Sequence, residues 1–208
     1  MSRFLLTKHK GQIMNTKLSI IALLCATTIA QADVLNFSIM SGQDSRIEFE
    51  SHAPLETIIG STDQVSGYIK IDPNDLNSGI TASVIVEAAS LNTGNKKRDT
   101  HMRNNHLHTD DHPQITFTID NLVLEGSLSP GSTYTFNIDG GFNLHGVTRT
   151  ITIPVEVTYE EAADGKKLHI KAQFEVKLSD YEIPRPQFLI MKLDEIQKVT
   201  VDVRGIVK

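Results

Sequence analysis

The sequence predicts an all-β fold, an antiparallel sheet closed into a barrel or folded into a sandwich. Two observations carry this expectation. Apolar residues occupy every second position through most of the chain after Asp33. An extended chain sends alternate side chains to opposite faces, so each such stretch is a strand with one apolar side. Between the stretches stand Asp72-Pro73-Asn74-Asp75, Asn77-Ser78-Gly79, Ser129-Pro130-Gly131 and Ala163-Asp164-Gly165, groups whose backbone preferences reverse the chain.

The strands follow in order. Leu35, Phe37 and Ile39 open the series, followed by Ile47 and Phe49, then Val65, Gly67, Ile69 and Ile71, then Ala82, Val84 and Val86. Ile115, Phe117 and Ile119 form the next, and Tyr134, Phe136 and Ile138 another. Ile151 to Val157, Leu168 to Val176 and Val199 to Val203 complete the set. About nine amphipathic strands with short connections make an antiparallel barrel or sandwich. Two stretches break the period. Residues 95–111, NKKRDTHMRNNHLHTDD, are polar and His-rich and include a short helix. Residues 179–197 carry two prolines and the solid apolar run Phe188-Leu189-Ile190-Met191, which must cover something apolar, such as a barrel mouth.

The N-terminus reads as an export signal. Arg3, Lys8, Lys10 and Lys17 precede any acid, the apolar run Leu18–Ile29 follows, and Ala30-Gln31-Ala32 supplies a cleavage site. Residues 1–32 are therefore a signal peptide, with Met14 a better start than Met1, and residues 33–208 form one domain. Cys25 invites a lipid-anchored reading, but Leu24 stands where lipoprotein processing expects a small residue. Cleavage after Ala32 removes Cys25 and leaves 176 residues without cysteine. Loss of the four cations takes the formal net charge from −5 to −9, which argues against a nucleic-acid partner. With no cysteine, neither a disulfide framework nor a thiolate zinc site is available.

Several ordered motifs resemble the YceI family. Gly140-Gly141-Phe142-Asn143-Leu144-His145-Gly146-Val147-Thr148-Arg149-Thr150-Ile151 is similar to its strand–turn–strand pattern G-x-L-x-x-x-G-V-T-x-x-V. Ser90 to Arg103 resembles S-x-x-T-x-x-x-x-R-D-x-H-L-R, and His112-Pro113-Gln114-Ile115-Thr116-Phe117 resembles Y-P-x-x-x-F. Gly67 to Asp72 and Leu178 to Ile183 fall in the expected order, so the likeness spans essentially all of 33–208. It implies an about eight-stranded, lipocalin-like antiparallel barrel with a short helix packed on it. It also implies exported proteins that hold polyisoprenoids or fatty-acid derivatives inside. The chain departs from the family where aromatic residues usually precede the Pro: Asn105 to Asp111 is polar, and His112 replaces the Tyr.

The leading expectation is a periplasmic carrier that holds one long-chain apolar ligand, a polyisoprenoid, isoprenoid quinone or fatty-acid derivative. Strand parity places Phe37, Phe49, Ile69, Val84, Phe117, Phe136 and Phe174 on the inward face, with Phe188 and Met191 on a covering loop. These are the expected apolar contacts. Whether the inward face lines a cavity or fills a core stays open. Arg98 and Arg103, a charged set with Asp99, either meet a polar ligand head, for which an Arg fork is suited, or pin the helix to the barrel through an ion pair. His101, His106, His108 and His112 offer a rival reading, a metal- or stress-responsive binding protein, since imidazoles are good ligands for zinc, copper or nickel. Their spacing fits no compact helical pair. A third reading is an isomerase or hydrolase acting on a lipid, but no nucleophile elbow or phosphate loop is present, so no enzyme and no cofactor are expected. Neither is stable membrane insertion of the mature chain. The oligomeric state is open, a homodimer included.

Overall fold

The structure, a computed structural model, describes residues 33–42, 44–54, 56–188 and 191–207, without the side chains of Gln187, Phe188 and Met191. The signal peptide expected over 1–32 lies outside the described residues, as does the rest of the apolar run after Phe188 up to Met191. No helix among the described residues is long and apolar enough to cross a membrane.

Ten of the twelve described strands form eight staves of a closed barrel. The first stave is β1 (Leu35–Ile39) continued by β2 (Arg46–Ala53), and the second is β3 (Glu56–Thr62) continued by β4 (Val65–Ile71). Then follow β5 (Ile80–Glu87), β6 (Gln114–Leu122), β7 (Thr133–Leu144), β8 (Val147–Ala162) and β9 (Gly165–Lys177). After β9 a short hairpin, β10 (Gln187–Phe188) with β11 (Met191–Lys192), precedes the last stave, β12 (Ile196–Val207). Every pairing is antiparallel. The barrel closes where β12 meets both β1 and β2, with Phe37 opposite Val207 and Phe49 opposite Val199. Alternation thus gives a barrel and not a sandwich, because the first stave and the last share one ladder.

One wall joint is short. Between β6 and β7 only Thr116–Asn143, Phe117–Phe142 and Thr118–Gly141 pair, whereas β9 and β12 pair from Lys177–Ile196 to Lys167–Ile206. Continuing the β6–β7 register would set the exposed Asp120 against the exposed Asp139 on the outer face, and like charges directly opposite weaken a ladder. Pro154 sits where it costs nothing: β8 pairs with β9 only from Val155 onward, so the missing N–H leaves no gap there.

The two ends differ. At one end Phe37, Leu76, Val65, Leu168, Val203, Leu128 and Tyr159 are packed to near-complete burial, with the Phe37 and Tyr159 rings edge to face at 6.3 Å. The 72–78 turn is held there by Asp72, whose carboxylate accepts from the backbone N–H groups of Asn74 and Asp33 at 2.9 Å each. The other end carries the helical insertion, α1 (Lys96–Met102) followed by a π-helical turn Arg103–Leu107. Asn95 caps α1 by accepting from the Lys97 and Arg98 amides, as its short amide side chain favours. The expected short helix is present.

The β7–β8 connection is a two-residue turn in which His145 and Gly146 both have positive φ, +53° and +76°. This is the mirror-image turn that suits strand twist, and Gly at its second position avoids the Cβ penalty. A Cβ at Gly146 would also lie 2.7 Å from the His112 ring. Gly146→Ala is therefore expected to cost about 1–3 kcal/mol, read as a lowered thermal midpoint. An unchanged midpoint would show that His112 moves aside without strain.

Candidate functional site

The barrel interior is hollow. A cavity of about 790 Å³ runs from the helical end down to the packed end, toward the upper part of the roughly 300–1,000 Å³ range of small-molecule sites. Its wall is almost wholly aliphatic and aromatic. Ile69, Val84, Phe117, Phe136, Phe174 and Phe49 all line it. Most of these inward side chains are only half-buried, an unusual state for the middle of a barrel that arises because their surface faces the void. The hydrophobic alternation is thus lining over most of its length and filling only at the closed end.

Phe37 belongs to the filling. It is 0% exposed and stands outside the cavity wall, because β1 occupies the half of its stave nearest the closed end. Phe49 sits near the open end, where its ring lies over Gly60 across the β2–β3 ladder; a Cβ there would meet Phe49 Cε1 at 2.2 Å. Phe117 covers Gly140 in the same way. Both glycines make room for a ring that turns along the wall, so the void keeps its width. Further toward the open end Phe142 meets Phe174 and Tyr181 edge to face, at 5.7 and 5.5 Å. The side chains of Phe188 and Met191 lie outside the described residues.

At the open end Arg98 lines the cavity, but its guanidinium is engaged. Its Nε and Nη2 donate to Thr93 Oγ1 and to the Thr93 carbonyl, at 2.9 and 3.2 Å, and Nη1 pairs with Glu56 at 2.7 Å. The buried Asp99 carboxylate accepts from the Thr93 amide and hydroxyl. Arg98 and Asp99 thus both fasten the start of α1, through Thr93 and Glu56 and not through each other. Arg103 stands off the cavity wall, its Nη1 donating to the Ala89 carbonyl at 3.3 Å.

The four histidines of the insertion separate into two groups. His101 and His106 both line the cavity mouth, their ring centres 5.0 Å apart. The five-residue spacing suits no α-helical face, yet the π-helical turn after α1, with its i→i+5 repeat, brings them together. His108 and His112 turn instead to His145, which sequence reasoning missed as a partner because it lies on a hairpin some forty positions away. His145 Nδ1 donates to the Tyr181 carbonyl at 3.0 Å, which leaves its Nε2 to accept from His108 Nδ1 at 2.7 Å. A proton therefore occupies the space between those two nitrogens, where a metal ion would have to bind. Among the described residues no three His, Cys, Asp or Glu side chains are placed to hold a metal ion.

An antiparallel barrel with one packed end, one helix-flanked end and an apolar hollow between them is the class of protein that this geometry defines. The family follows from comparison. The model of the YceI-like domain matches residues 39–204, and the chain belongs to that family. It is 28% identical over 147 residues to a UPF0312 protein of Vibrio campbellii strain ATCC BAA-1116, covering 69% of this chain and 74% of that protein. In structure it is similar to a polyisoprenoid-binding domain from Saccharophagus degradans implicated in plant cell wall breakdown. That likeness has TM-score 0.64, 17% identity, and covers 84% of this chain and 99% of that one. It is also similar to the YceI protein of Campylobacter jejuni, with TM-score 0.61, 19% identity and coverage of 76% and 89%. Both share the barrel fold.

Proposed function

We propose that the mature chain is a periplasmic carrier that holds one long apolar molecule, a polyisoprenoid, isoprenoid quinone or fatty-acid derivative, along the barrel axis. The observation that carries this reading is the apolar void itself. A closed sheet could have filled its centre with side chains at crystal-like density, and this one leaves a hollow of about 790 Å³. An empty apolar volume of this size loses the dispersion contacts of its lining, and an apolar chain restores them. The description of the Saccharophagus domain as polyisoprenoid-binding supports the ligand class.

Export is supported by the sequence of residues 1–32 and by the placement of Asp33. Its backbone nitrogen lies 2.9 Å from Asp72 Oδ2, and Asp72 is buried. Cleavage after Ala32 would turn that nitrogen into an ammonium ion and the hydrogen bond into an ion pair. The new terminus would then fasten the closed end.

Affinity in such a site is set by chain length. Each buried methylene contributes about 0.8 kcal/mol, so a five-carbon isoprenoid unit adds roughly 3–4 kcal/mol until the void is full. Prenyl ligands of increasing length are expected to bind more tightly in steps and then reach a plateau. Native mass spectrometry of protein isolated from its own periplasm is expected to show one added lipid-sized mass. Protein that carries no such mass and takes up no added prenyl or fatty ligand would overturn the reading.

A further inference from the structure

We infer that His106 receives the polar end of the bound chain and that this end is a hydroxyl group, not a phosphate or a carboxylate. The inference rests on the carrier reading above and names the ligand's head.

His106 sits in the π-helical turn at the open end and lines the cavity, yet it is only 9% exposed. Its Nδ1 lies 2.8 Å from the Pro184 carbonyl oxygen. A carbonyl can only accept, so Nδ1 carries the proton and Nε2 is left with a lone pair. Among the described residues that Nε2 is buried and has no hydrogen-bond partner. Buried polar atoms without partners are few and costly, and an imidazole acceptor at the edge of an apolar cavity is completed by a hydrogen-bond donor, which at the end of a prenyl chain is a hydroxyl. Burial holds the His106 pKa below its ordinary value, with the neighbouring His101 and His108 acting in the same direction. The ring therefore stays neutral and offers nothing to an anion. Nε2 itself is covered, so a hydroxyl reaches it only as side chains at the mouth shift, and the exposed His101 ring stands 5.0 Å from that of His106.

The cations at this end do not argue for an acidic head. Arg98 is held by Thr93 and Glu56. Lys97 also lines the mouth but is exposed there, where solvent and salt screen its attraction to an anion. A chain ending in an alcohol fits what remains: apolar wall along its length and, at its end, a buried neutral acceptor without a partner.

The test compares three ligands with the same C20 chain, geranylgeraniol, its methyl ether and geranylgeranyl phosphate, by displacement of a fluorescent fatty probe. The alcohol is expected to bind about tenfold tighter than the ether, since the ether keeps the chain and oxygen but leaves Nε2 unpaired. His106→Gln can still donate to Pro184 and present an acceptor, so it keeps the preference; His106→Leu abolishes it. Equal affinity of alcohol and ether for the unaltered protein, or tightest binding of the phosphate, overturns the assignment of His106 and leaves the carrier reading intact. If neither the fatty probe nor any of the three prenyl ligands binds, the carrier reading falls and the assignment with it; a probe that binds but is displaced by none of the three overturns the assignment alone.

Discussion

Val201→Trp is expected to weaken binding of a long prenyl chain by more than a hundredfold while leaving the barrel as stable as before. Val201 lies midway along β12, opposite Ala172 of β9 and Ile47 of β2, and lines the cavity. An indole placed there takes the room of about four or five methylenes, each contributing about 0.8 kcal/mol to a bound chain, or roughly 3–4 kcal/mol in all. The same substitution in a filled core would force neighbours off their rotamers at a cost of about 1–3 kcal/mol. Thermal melting and ligand titration of the one variant thus separate a hollow from a packed centre. Lower stability with unchanged affinity would show that the interior closes up around its own side chains.

Phe37→Ala should behave in the opposite way. Phe37 is completely buried, touches the Tyr159 ring edge to face, and sits in the ladder that joins the first strand to the last. Truncating such a ring costs about 3–5 kcal/mol. In a domain of this size each kcal/mol lowers the thermal midpoint by about 2–4 °C, so a fall of roughly 10 °C is expected. Ligand affinity measured well below the transition should not change, because the ring plugs the end of the barrel and does not border the void. A loss of affinity without loss of stability would place Phe37 in the ligand's path.

The two substitutions also mark how far the sequence could be read. Alternation gave the strands and their inward faces, since parity is a local property: Phe117, Phe136 and Phe174 point inward as their positions require. Parity says nothing about depth. Phe37 and Phe174 look alike along the chain, yet one fills the end and the other lines the hollow, and only the stagger of the staves distinguishes them. The void was illegible for the same reason, because it depends on strand number and closure and not on any one residue. Gly60 and Gly140 carried a trace of it, as small residues beneath the Phe49 and Phe117 rings, the first directly opposite and the second diagonal to its ring's residue. His145 could not be matched with His108 before the hairpin and the insertion were known to share an end. His106 needed the π-helical turn, and no spacing rule in the sequence announces a tightening or loosening of one helical turn.

The short joint between β6 and β7 gives the wall a mechanical character that the other joints lack. A hoop under outward load opens at its weakest weld. Here three residue pairs must part, and the ladder stops short of the point where Asp120 would face Asp139. A guest slightly too wide for the empty hollow therefore does not strain the whole circumference. Girth is expected to adjust first at this line, which hydrogen exchange of the β6–β7 amides with and without a bound chain would read.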